Sequence, residues 1–315
     1  MLYSADLESI IPYYNNWSEI RFIDKGLSTD DKYYVKSKLD KQQYIIRISS
    51  VNILKRKQHE FETMKKIDEL DLPIQKLIEF GVCPNNNYIY SLYSWIDGRD
   101  LEGEILFYNE SEQYSIGFKA GSILRNLHQG NIMLENYNFI ESVRRDLDKQ
   151  KEEYDLCRYK VSNDKKIMNF IQENINCLKE RPYTLLHGDF HIGNLIINDK
   201  KDVGVIDMNW YKFGDPFEEF KKLMFLSRRV SKEYATGQID GYFNYEIPDN
   251  FFRITAVYVA INILFSTLWS SKIGPEELER DLKRINMVYD DYNGFSTNVP
   301  NWYNNKNVTK HIEGS

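Results

Sequence analysis

Short apolar runs, rich in β-branched and aromatic residues and separated by turn-forming residues, recur along the first third of the chain. Such runs are typical of β-strands. The predicted strands cover residues 20–23, 33–35, 44–49, 76–81 and 88–93. Apolar positions at helical spacing, including Leu54, Phe61 and Met64, predict one helix over residues 53–70. This part of the chain is therefore expected to form a sheet with one helix.

The rest of the chain has a mainly helical pattern. Asn109, followed three residues later by Glu112, is typical of a capping box, in which each side chain accepts a hydrogen bond from the backbone of the other residue. The helix that begins there is expected to run to His128. Spaced apolar positions in residues 138–180 predict a further helical pair.

The sequence favours neither a membrane protein nor an exported one. Residues 251–270 are apolar, but they include Arg253 and several polar residues, which favours a buried helix. The first ten residues lack a basic segment followed by a long apolar run, so no signal peptide is predicted. Cys83, Cys157 and Cys177 are widely spaced and odd in number, which predicts buried free thiols and a cytoplasmic protein.

One stretch in the second half of the chain predicts a β-hairpin instead of a helix. The apolar runs at residues 195–197 and 203–206 flank a polar stretch, residues 198–202, that suits a turn. If the two strands pair about this turn, Asn194 and Asp207 leave the hairpin at the same end. Two side-chain oxygens that can bind a metal ion are therefore expected to meet there.

Asp189 lies five residues before Asn194, in a loop that contains Gly188 and Gly193. Glycine allows the backbone to approach a ligand closely. In phosphoryl transfer from a nucleotide, one carboxylate accepts the proton of the attacking hydroxyl, while an amide and a second carboxylate hold Mg²⁺ against the phosphates. Asp189, Asn194 and Asp207 suit these three roles.

Other interpretations of the same residues are open. A His-Gly-Asp triplet alone could be an ordinary turn. His187, Asp189 and His191 could instead form a hydrolytic zinc site, because imidazole and carboxylate both bind zinc. That alternative predicts stoichiometric zinc in the purified protein.

Residues 187–194, His-Gly-Asp-Phe-His-Ile-Gly-Asn, resemble the catalytic loop of the aminoglycoside phosphotransferase family, and residues 206–207 resemble its metal-binding segment. The resemblance implies an α+β, bilobal protein-kinase-like fold, with an antiparallel sheet plus helix in the N-lobe and a mainly helical C-lobe. It implies a nucleotide-binding lobe at residues 1–94, a connector at 95–99, and a catalytic and substrate-binding lobe at 100–315.

The resemblance also implies where the nucleotide binds. Ser28 and Thr29 fall in the segment that covers the nucleotide phosphates in this family. Trp95 falls in the interlobe connector, where family members hydrogen-bond adenine through the backbone, and Tyr93 lies just before it. These four residues are therefore expected to contact the nucleotide.

Arg47 occupies the strand position where the kinase fold carries a lysine that pairs with the α- and β-phosphates and with a helical glutamate. Glu60 is the candidate glutamate, because at 100° per residue it lies about 40° from Met64 and so borders the buried face of its helix. An Arg47–Glu60 ion pair is implied, and the lysine-rich side of this helix is expected to be solvated. Arginine and lysine are not interchangeable at such a site, so nucleotide preference can differ.

A turn at residues 214–216 follows the hairpin and leads into a helix start that contains Glu218 and Glu219. Acidic residues at this position favour the helix dipole. In the family, an aspartate near the position of Glu219 anchors the helix. The sequence leaves open whether these glutamates cap the helix or contact the substrate.

The charge balance gives only weak information about partners. The chain has 41 basic and 47 acidic residues, a net charge of −6, which argues against general affinity for nucleic acid and is compatible with a cationic acceptor. Acidic residues near the C-terminus could bind ammonium groups if they line the site. They are Glu276, Glu277, Glu279, Asp281, Asp290 and Asp291.

The resemblance implies transfer of a phosphoryl group from ATP or GTP, with Mg²⁺, to a small-molecule hydroxyl, and favours an aminoglycoside as acceptor. Choline, ethanolamine, macrolides and sugars are alternatives that the sequence does not separate. A nucleotide-binding protein without transferase activity is also open. No oligomeric state is indicated.

Overall fold

The chain forms two compact units in the computed structural model. The first unit is Met1–Gly98 together with Gly204–Asn209, and the second is Arg99–Val203 together with Trp210–Ser315. The residues that the structure describes are 7–24, 30–130 and 139–303.

An antiparallel sheet dominates the described part of the first unit, and its strand order is β1-β2-β3-β5-β4. The predicted strands are confirmed. They are β1 (Trp17–Phe22), β2 (Asp31–Ser37), β3 (Gln43–Ser50), β4 (Leu77–Val82) and β5 (Tyr88–Ser94).

Two helices accompany this sheet. A short helix, α1 (Leu7–Ile10), places Ile10 in the apolar core of the sheet. The predicted helix is confirmed as α2 (Leu54–Asp68), which follows a 3-10 turn. Ser50 starts that turn because its hydroxyl accepts a hydrogen bond from the Asn52 N–H at 3.3 Å.

The segment Gly204–Asn209 belongs to the first unit because it pairs with the chain just before β4. The Val205 N–H donates to the Pro73 carbonyl, and the Gln75 N–H donates to the Val205 carbonyl, both at 2.8 Å. These two bonds place Asp207 in the same unit as the sheet.

The second unit is mainly helical, as predicted, with short strands between the helices. Its described helices are α3 (Leu101–Glu104), α4 (Glu110–His128), α5 (Phe139–Leu156), α6 (Asp164–Asn174), α7 (Phe220–Lys222), α8 (Lys232–Phe243), α9 (Phe251–Ile273) and α10 (Pro275–Asp291). The strands are β6 (Arg99–Asp100), β7 (Thr184–Leu186), β8 (Leu195–Ile197), β9 (Val203–Val205) and β10 (Lys212–Gly214), and the last two residues of β9 belong to the first unit.

Local sequence signals are confirmed in this unit. Asn109 caps α4, and the reciprocal bonds between Asn109 and Glu112 are both 3.0 Å long. β8 and β9 flank a turn in which the Asn198 N–H donates to the Asp202 carbonyl at 3.2 Å, as expected for the hairpin.

Helix α9 is long and apolar enough to cross a membrane, judged by length and composition alone. However, 67% of its most apolar window is buried inside the protein, as predicted for a core helix. The three cysteines are free. Only Cys83 is buried, whereas Cys157 and Cys177 are partly exposed, so the prediction of buried thiols holds for Cys83 alone.

Four glycines let α4 and α8 pack backbone against backbone. A Cβ on Gly117 or Gly121 of α4 would overlap a carbonyl oxygen of α8, and a Cβ on Gly237 or Gly241 of α8 would overlap one of α4. Because the obstacle is backbone and not a movable side chain, neither helix can give way easily. This contact fixes α4 within the second unit.

Gly237→Ala is expected to destabilise the protein by about 1–3 kcal/mol, because the new methyl group would force the two helices apart. Gly103→Ala in α3 is the matched control, because no neighbouring atom lies within 4 Å of the position that a Cβ would take there. The control should be neutral or stabilising by up to about 1 kcal/mol, since alanine favours a helix. Urea denaturation followed by circular dichroism measures both, and equal stabilities of the two variants would contradict the tight contact.

Candidate active site

The predicted catalytic loop, residues 187–194, joins β7 to β8 in the second unit. Its Phe190 and Ile192 side chains are fully buried and fasten it to the core. Gly188 has φ of +82°, and a Cβ there would overlap the carbonyl oxygen of Trp210. Glycine is therefore required at this position by both backbone conformation and space.

Both carboxylate oxygens of Asp189 are held by neighbouring donors. Oδ1 lies 2.7 Å from Lys222 Nζ, and Oδ2 accepts a hydrogen bond from Asn194 Nδ2 at 3.0 Å. His191 Nε2 lies 3.5 Å from Oδ2. Burial alone would raise the pKa of Asp189, but His191 and Lys222 outweigh it and hold that pKa well below its usual range. Asp189 is therefore held in its ionised, deprotonated form.

Glu219 holds the backbone on either side of Asp189. Its Oε2 accepts the Gly188 N–H at 3.2 Å, and its Oε1 accepts the Phe190 N–H at 3.3 Å. Its carboxylate is buried, and burial raises its pKa, but His128, whose Nε2 lies 3.7 Å from Glu219 Oε2, and His187 outweigh burial and lower that pKa overall. Glu219 thus orients the loop. The cap of the 3-10 turn that contains it is Asp215, which accepts the Phe217 N–H at 3.0 Å.

The segment that begins at Glu219 contacts the loop at two further points. Lys222 pairs with Asp189, and Ser227 Oγ accepts the Ile192 N–H at 3.0 Å. Residues Leu223–Ser227 form a π-helix, a conformation that is rare and often occurs at functional sites. No sequence pattern indicated these contacts, because their partners lie about thirty residues apart in the chain.

Two histidines of the loop support its fold. His187 Nδ1 accepts the Asp189 N–H at 3.2 Å, and His191 Nδ1 accepts the Gly193 N–H at 3.1 Å. Among the described residues, no group of three or more His, Cys, Asp or Glu side chains is arranged to hold a metal ion. The zinc hydrolase alternative therefore has no geometric support.

In the first unit, Arg47 forms an ion pair with Asp207 and donates a hydrogen bond to Asn209. The predicted Arg47–Glu60 ion pair is wrong. Glu60 instead lies 3.1 Å from Lys57 Nζ and accepts a hydrogen bond from the Tyr93 hydroxyl at 2.7 Å. Lys57 pairs with Glu60 in place of Arg47 because it lies one turn before Glu60 on the same side of α2.

Lys57 itself is only 3% exposed, so the prediction of a solvated lysine-rich face fails at this residue. Its ammonium group also lies 3.3 Å from Asp30 Oδ2, and the Ser49 hydroxyl donates to Asp30 Oδ1 at 2.8 Å. A lysine can be buried when two carboxylates and hydrogen bonds replace its water. The lysine in contact with the helical glutamate thus comes from α2 and not from β3.

The other predicted nucleotide-binding residues are placed as follows. Tyr93 is buried beside Arg47, whose guanidinium carbon lies 5.6 Å from the ring centroid. The Trp95 ring packs edge-on against that of Tyr34, with ring centroids 5.1 Å apart. The backbone N–H of Trp95 donates to the Gln43 carbonyl at 3.2 Å. Ser28 and Thr29 lie outside the described residues.

Asn194 and Asp207 have the chemistry of magnesium ligands. Asn194 donates two hydrogen bonds through Nδ2, one to the Asp189 backbone carbonyl at 2.9 Å and one to the Asp189 carboxylate. Neither bond uses the amide oxygen Oδ1. Burial raises the pKa of Asp207, but the charge of Arg47 outweighs this and keeps that pKa low. An ionised carboxylate and an amide oxygen suit Mg²⁺, which prefers oxygen ligands.

Asp207 also has a backbone φ of +72°. Non-glycine residues rarely adopt this left-handed conformation, and such conformations cluster at functional sites. The conformation marks Asp207 as a candidate functional residue of the first unit.

A sequence model of the phosphotransferase enzyme family matches residues 19–251 of this chain. The match includes the predicted catalytic loop and the Asp207 segment. No curated protein sequence matches the chain significantly.

Solved structures of aminoglycoside phosphotransferases share the fold. APH(2'')-IIa in a ternary complex with streptomycin and ATP is 17% identical, with a TM-score of 0.64 over 88% of this chain and 94% of that one. A thermostable mutant of APH(4)-Ia with ADP and hygromycin B is 13% identical, with a TM-score of 0.65 over 88% and 95%. The GDP complex of aminoglycoside 2'-phosphotransferase-IIIa is 12% identical, with a TM-score of 0.60 over 87% and 93%. The predicted protein-kinase-like α+β fold is confirmed.

Proposed function

We propose, since the chain belongs to the phosphotransferase enzyme family, that this small-molecule kinase transfers the γ-phosphoryl group of ATP or GTP to a hydroxyl of its acceptor. The observation that carries the proposal is the state of Asp189. Its carboxylate is ionised, and Glu219 fixes the backbone on both sides of it. A carboxylate prepared in this way can act as a general base.

In the proposed reaction, Asp189 accepts the proton of the acceptor hydroxyl. The acceptor oxygen forms a bond to the γ-phosphorus as the bond from that phosphorus to the β–γ bridging oxygen breaks. The nucleoside diphosphate keeps the electron pair of the broken bond and leaves. Because little covalent chemistry falls to the protein, positioning and charge neutralisation supply most of the rate enhancement.

Asn194 and Asp207 are the proposed ligands of Mg²⁺, which when bound neutralises charge on the phosphates. Arg47 would bring its guanidinium to the phosphates from the side of Asp207, with which it is paired. Glu60 would support this side through Lys57 and Tyr93 and not through Arg47.

The remaining nucleotide contacts stay proposals drawn from the family resemblance. Ser28 and Thr29 would cover the phosphates, and Tyr93 and Trp95 would lie near the adenine. Residues 1–94 would then bind nucleotide, residues 95–99 connect, and residues 100–315 carry Asp189 and bind the acceptor.

Aminoglycosides are the first acceptors to test, because structures with this fold contain streptomycin and hygromycin B. The acidic net charge of −6 is compatible with a cationic acceptor. Choline, ethanolamine, macrolides and sugars are the alternatives. A cytoplasmic location is proposed because the three thiols are unpaired.

The test is release of ADP from ATP and of GDP from GTP across a panel of aminoglycosides, choline, ethanolamine, macrolides and sugars. We expect at least one acceptor to stimulate release by about a hundredfold or more, the lower end of what general-base catalysis provides. Removal of Mg²⁺ with EDTA should abolish the stimulation. If the protein binds nucleotide but no acceptor stimulates formation of ADP or GDP, the proposal is contradicted. That result would favour a non-catalytic nucleotide-binding protein, the alternative that Arg47 in place of lysine allows.

A further inference from the structure

Lys222 places a positive charge directly against the carboxylate that the proposed reaction uses as its base. Its Nζ lies 2.7 Å from Asp189 Oδ1, and the two side chains are 28% and 23% exposed. Both groups are thus partly shielded from water, which strengthens their interaction. A lone carboxylate at this position would attract an ammonium group, but Lys222 cancels that attraction at short range.

Two further acidic side chains near the loop are paired with cations in the same way. Glu102, which lies against Gly193, pairs with Arg229. Glu218, the neighbour of Glu219, pairs with two lysines at once. These lysines are Lys212 and Lys221.

The acids near the C-terminus, which could have bound ammonium groups, are also mostly paired. Four of the six have arginine or lysine partners in the described part of the chain. These four are Glu277 with Arg280 and Arg284, Glu279 with Lys283, Asp281 with Arg284, and Asp291 with Arg228. The second unit therefore offers little uncompensated negative charge at these positions.

We infer that Lys222 determines acceptor specificity, so that the hydroxyl which reacts at Asp189 belongs to a neutral, sugar-like or polyol-like part of the acceptor with no ammonium group on the adjacent carbon. The inference rests on the proposed function. A reacting hydroxyl must lie about 3 Å from an Asp189 oxygen. An ammonium group on the next carbon would then lie only about 4–8 Å from Lys222 Nζ, where its repulsion from Lys222 offsets its attraction to the Asp189 carboxylate.

This specificity separates acceptors that the family resemblance leaves together. In choline and ethanolamine the cationic nitrogen is on the carbon next to the one that carries the only hydroxyl. Both are therefore expected to be poor acceptors. Sugars fit. An aminoglycoside fits when the phosphorylated hydroxyl is flanked by carbons that carry no amine.

The test compares the wild type with Lys222→Gln on matched probes, namely glycerol against ethanolamine, glycerol against choline, and the aminoglycosides whose phosphorylated hydroxyl is located by NMR. We expect Lys222→Gln to raise kcat/KM for the cationic member of each pair, relative to the neutral one, by about tenfold or more. Lys222→Arg keeps the charge and should leave the ratio within about twofold. Lys283→Gln removes one surface charge from α10 and should also leave it unchanged, because Lys283 pairs with Glu279 and not with the loop.

The outcomes separate the two hypotheses. If acceptors stimulate nucleotide turnover but the wild type favours hydroxyls beside an ammonium group, or if Lys222→Gln leaves the ratios unchanged, the inference fails and the phosphotransferase stands. If no acceptor stimulates turnover by the wild type, the proposed function fails and the inference fails with it. Lys222→Met, which keeps the length of the side chain, replaces Lys222→Gln if the latter lowers the Tm.

Discussion

Asp189→Asn is expected to lower kcat by about a thousandfold while the protein stays folded and still binds nucleotide. Asparagine has nearly the same shape as aspartate, but its amide cannot accept the proton of the acceptor hydroxyl. General-base catalysis typically contributes a factor of 10² to 10⁴. Acceptor-stimulated release of nucleoside diphosphate measures the loss, and binding of a fluorescent nucleotide measures what remains.

The fold should survive this substitution because other residues hold the loop. Glu219 accepts the N–H groups of Gly188 and Phe190, and Phe190 is buried. Lys222 loses its charged partner, but it is partly exposed and can turn to water, so the loss of stability should stay within about 1–3 kcal/mol.

Asp199→Asn provides the matched control for the same change of charge. Asp199 is highly exposed in the turn after β8 and pairs with Arg99. This variant should keep near-normal turnover. Near-normal turnover by a folded Asp189→Asn protein would refute the role of Asp189 as the base.

Interactions between residues close in the chain were predictable from the sequence. The capping box of α4 joins residues only three apart, and the turn between β8 and β9 closes within five residues. The helical phase of α2 also placed Glu60 at the border of the buried face, and Glu60 is in fact buried. In each case the energy comes from neighbours whose spacing is fixed by the backbone itself.

The partner of Glu60 was mispredicted because a distant residue was preferred to a local one. The family resemblance suggested Arg47, but Lys57 lies three residues before Glu60 on α2, which is a spacing that favours ion pairs on a helix. That signal was present in the sequence. It would have required accepting a buried lysine, which is uncommon unless carboxylates surround it.

The support of the catalytic loop could not have been predicted from the sequence. Glu219, Lys222 and Ser227 reach the loop only because the chain folds back after β10. Acidic residues at a helix start equally suggest a cap, and nothing in the local pattern distinguishes a cap from a buried contact with another segment. The proposed catalytic aspartate is thus visible in the sequence, whereas the residues that set its charge and orientation are not.

Asp207→Asn is the second substitution expected to have a large effect, on the order of a thousandfold in kcat, if Asp207 holds Mg²⁺. The neutral amide binds the metal more weakly than the carboxylate does. The concentration of Mg²⁺ needed for half-maximal nucleotide turnover should therefore rise by about tenfold or more. Titrating Mg²⁺ at saturating nucleotide measures this shift.

Asparagine is the substitution of choice because Asp207 has φ of +72°, a conformation that asparagine tolerates far better than alanine. Its side-chain oxygen can still accept a hydrogen bond from Arg47, so the local fold should be kept. Asp68→Asn, at an exposed residue of the same unit that pairs with Lys76, is the matched control and should leave the Mg²⁺ requirement unchanged. If Asp207→Asn lowered kcat without changing the Mg²⁺ requirement, its main role would be to position Arg47, because removing a metal ligand must weaken metal binding whereas weakening an ion pair need not.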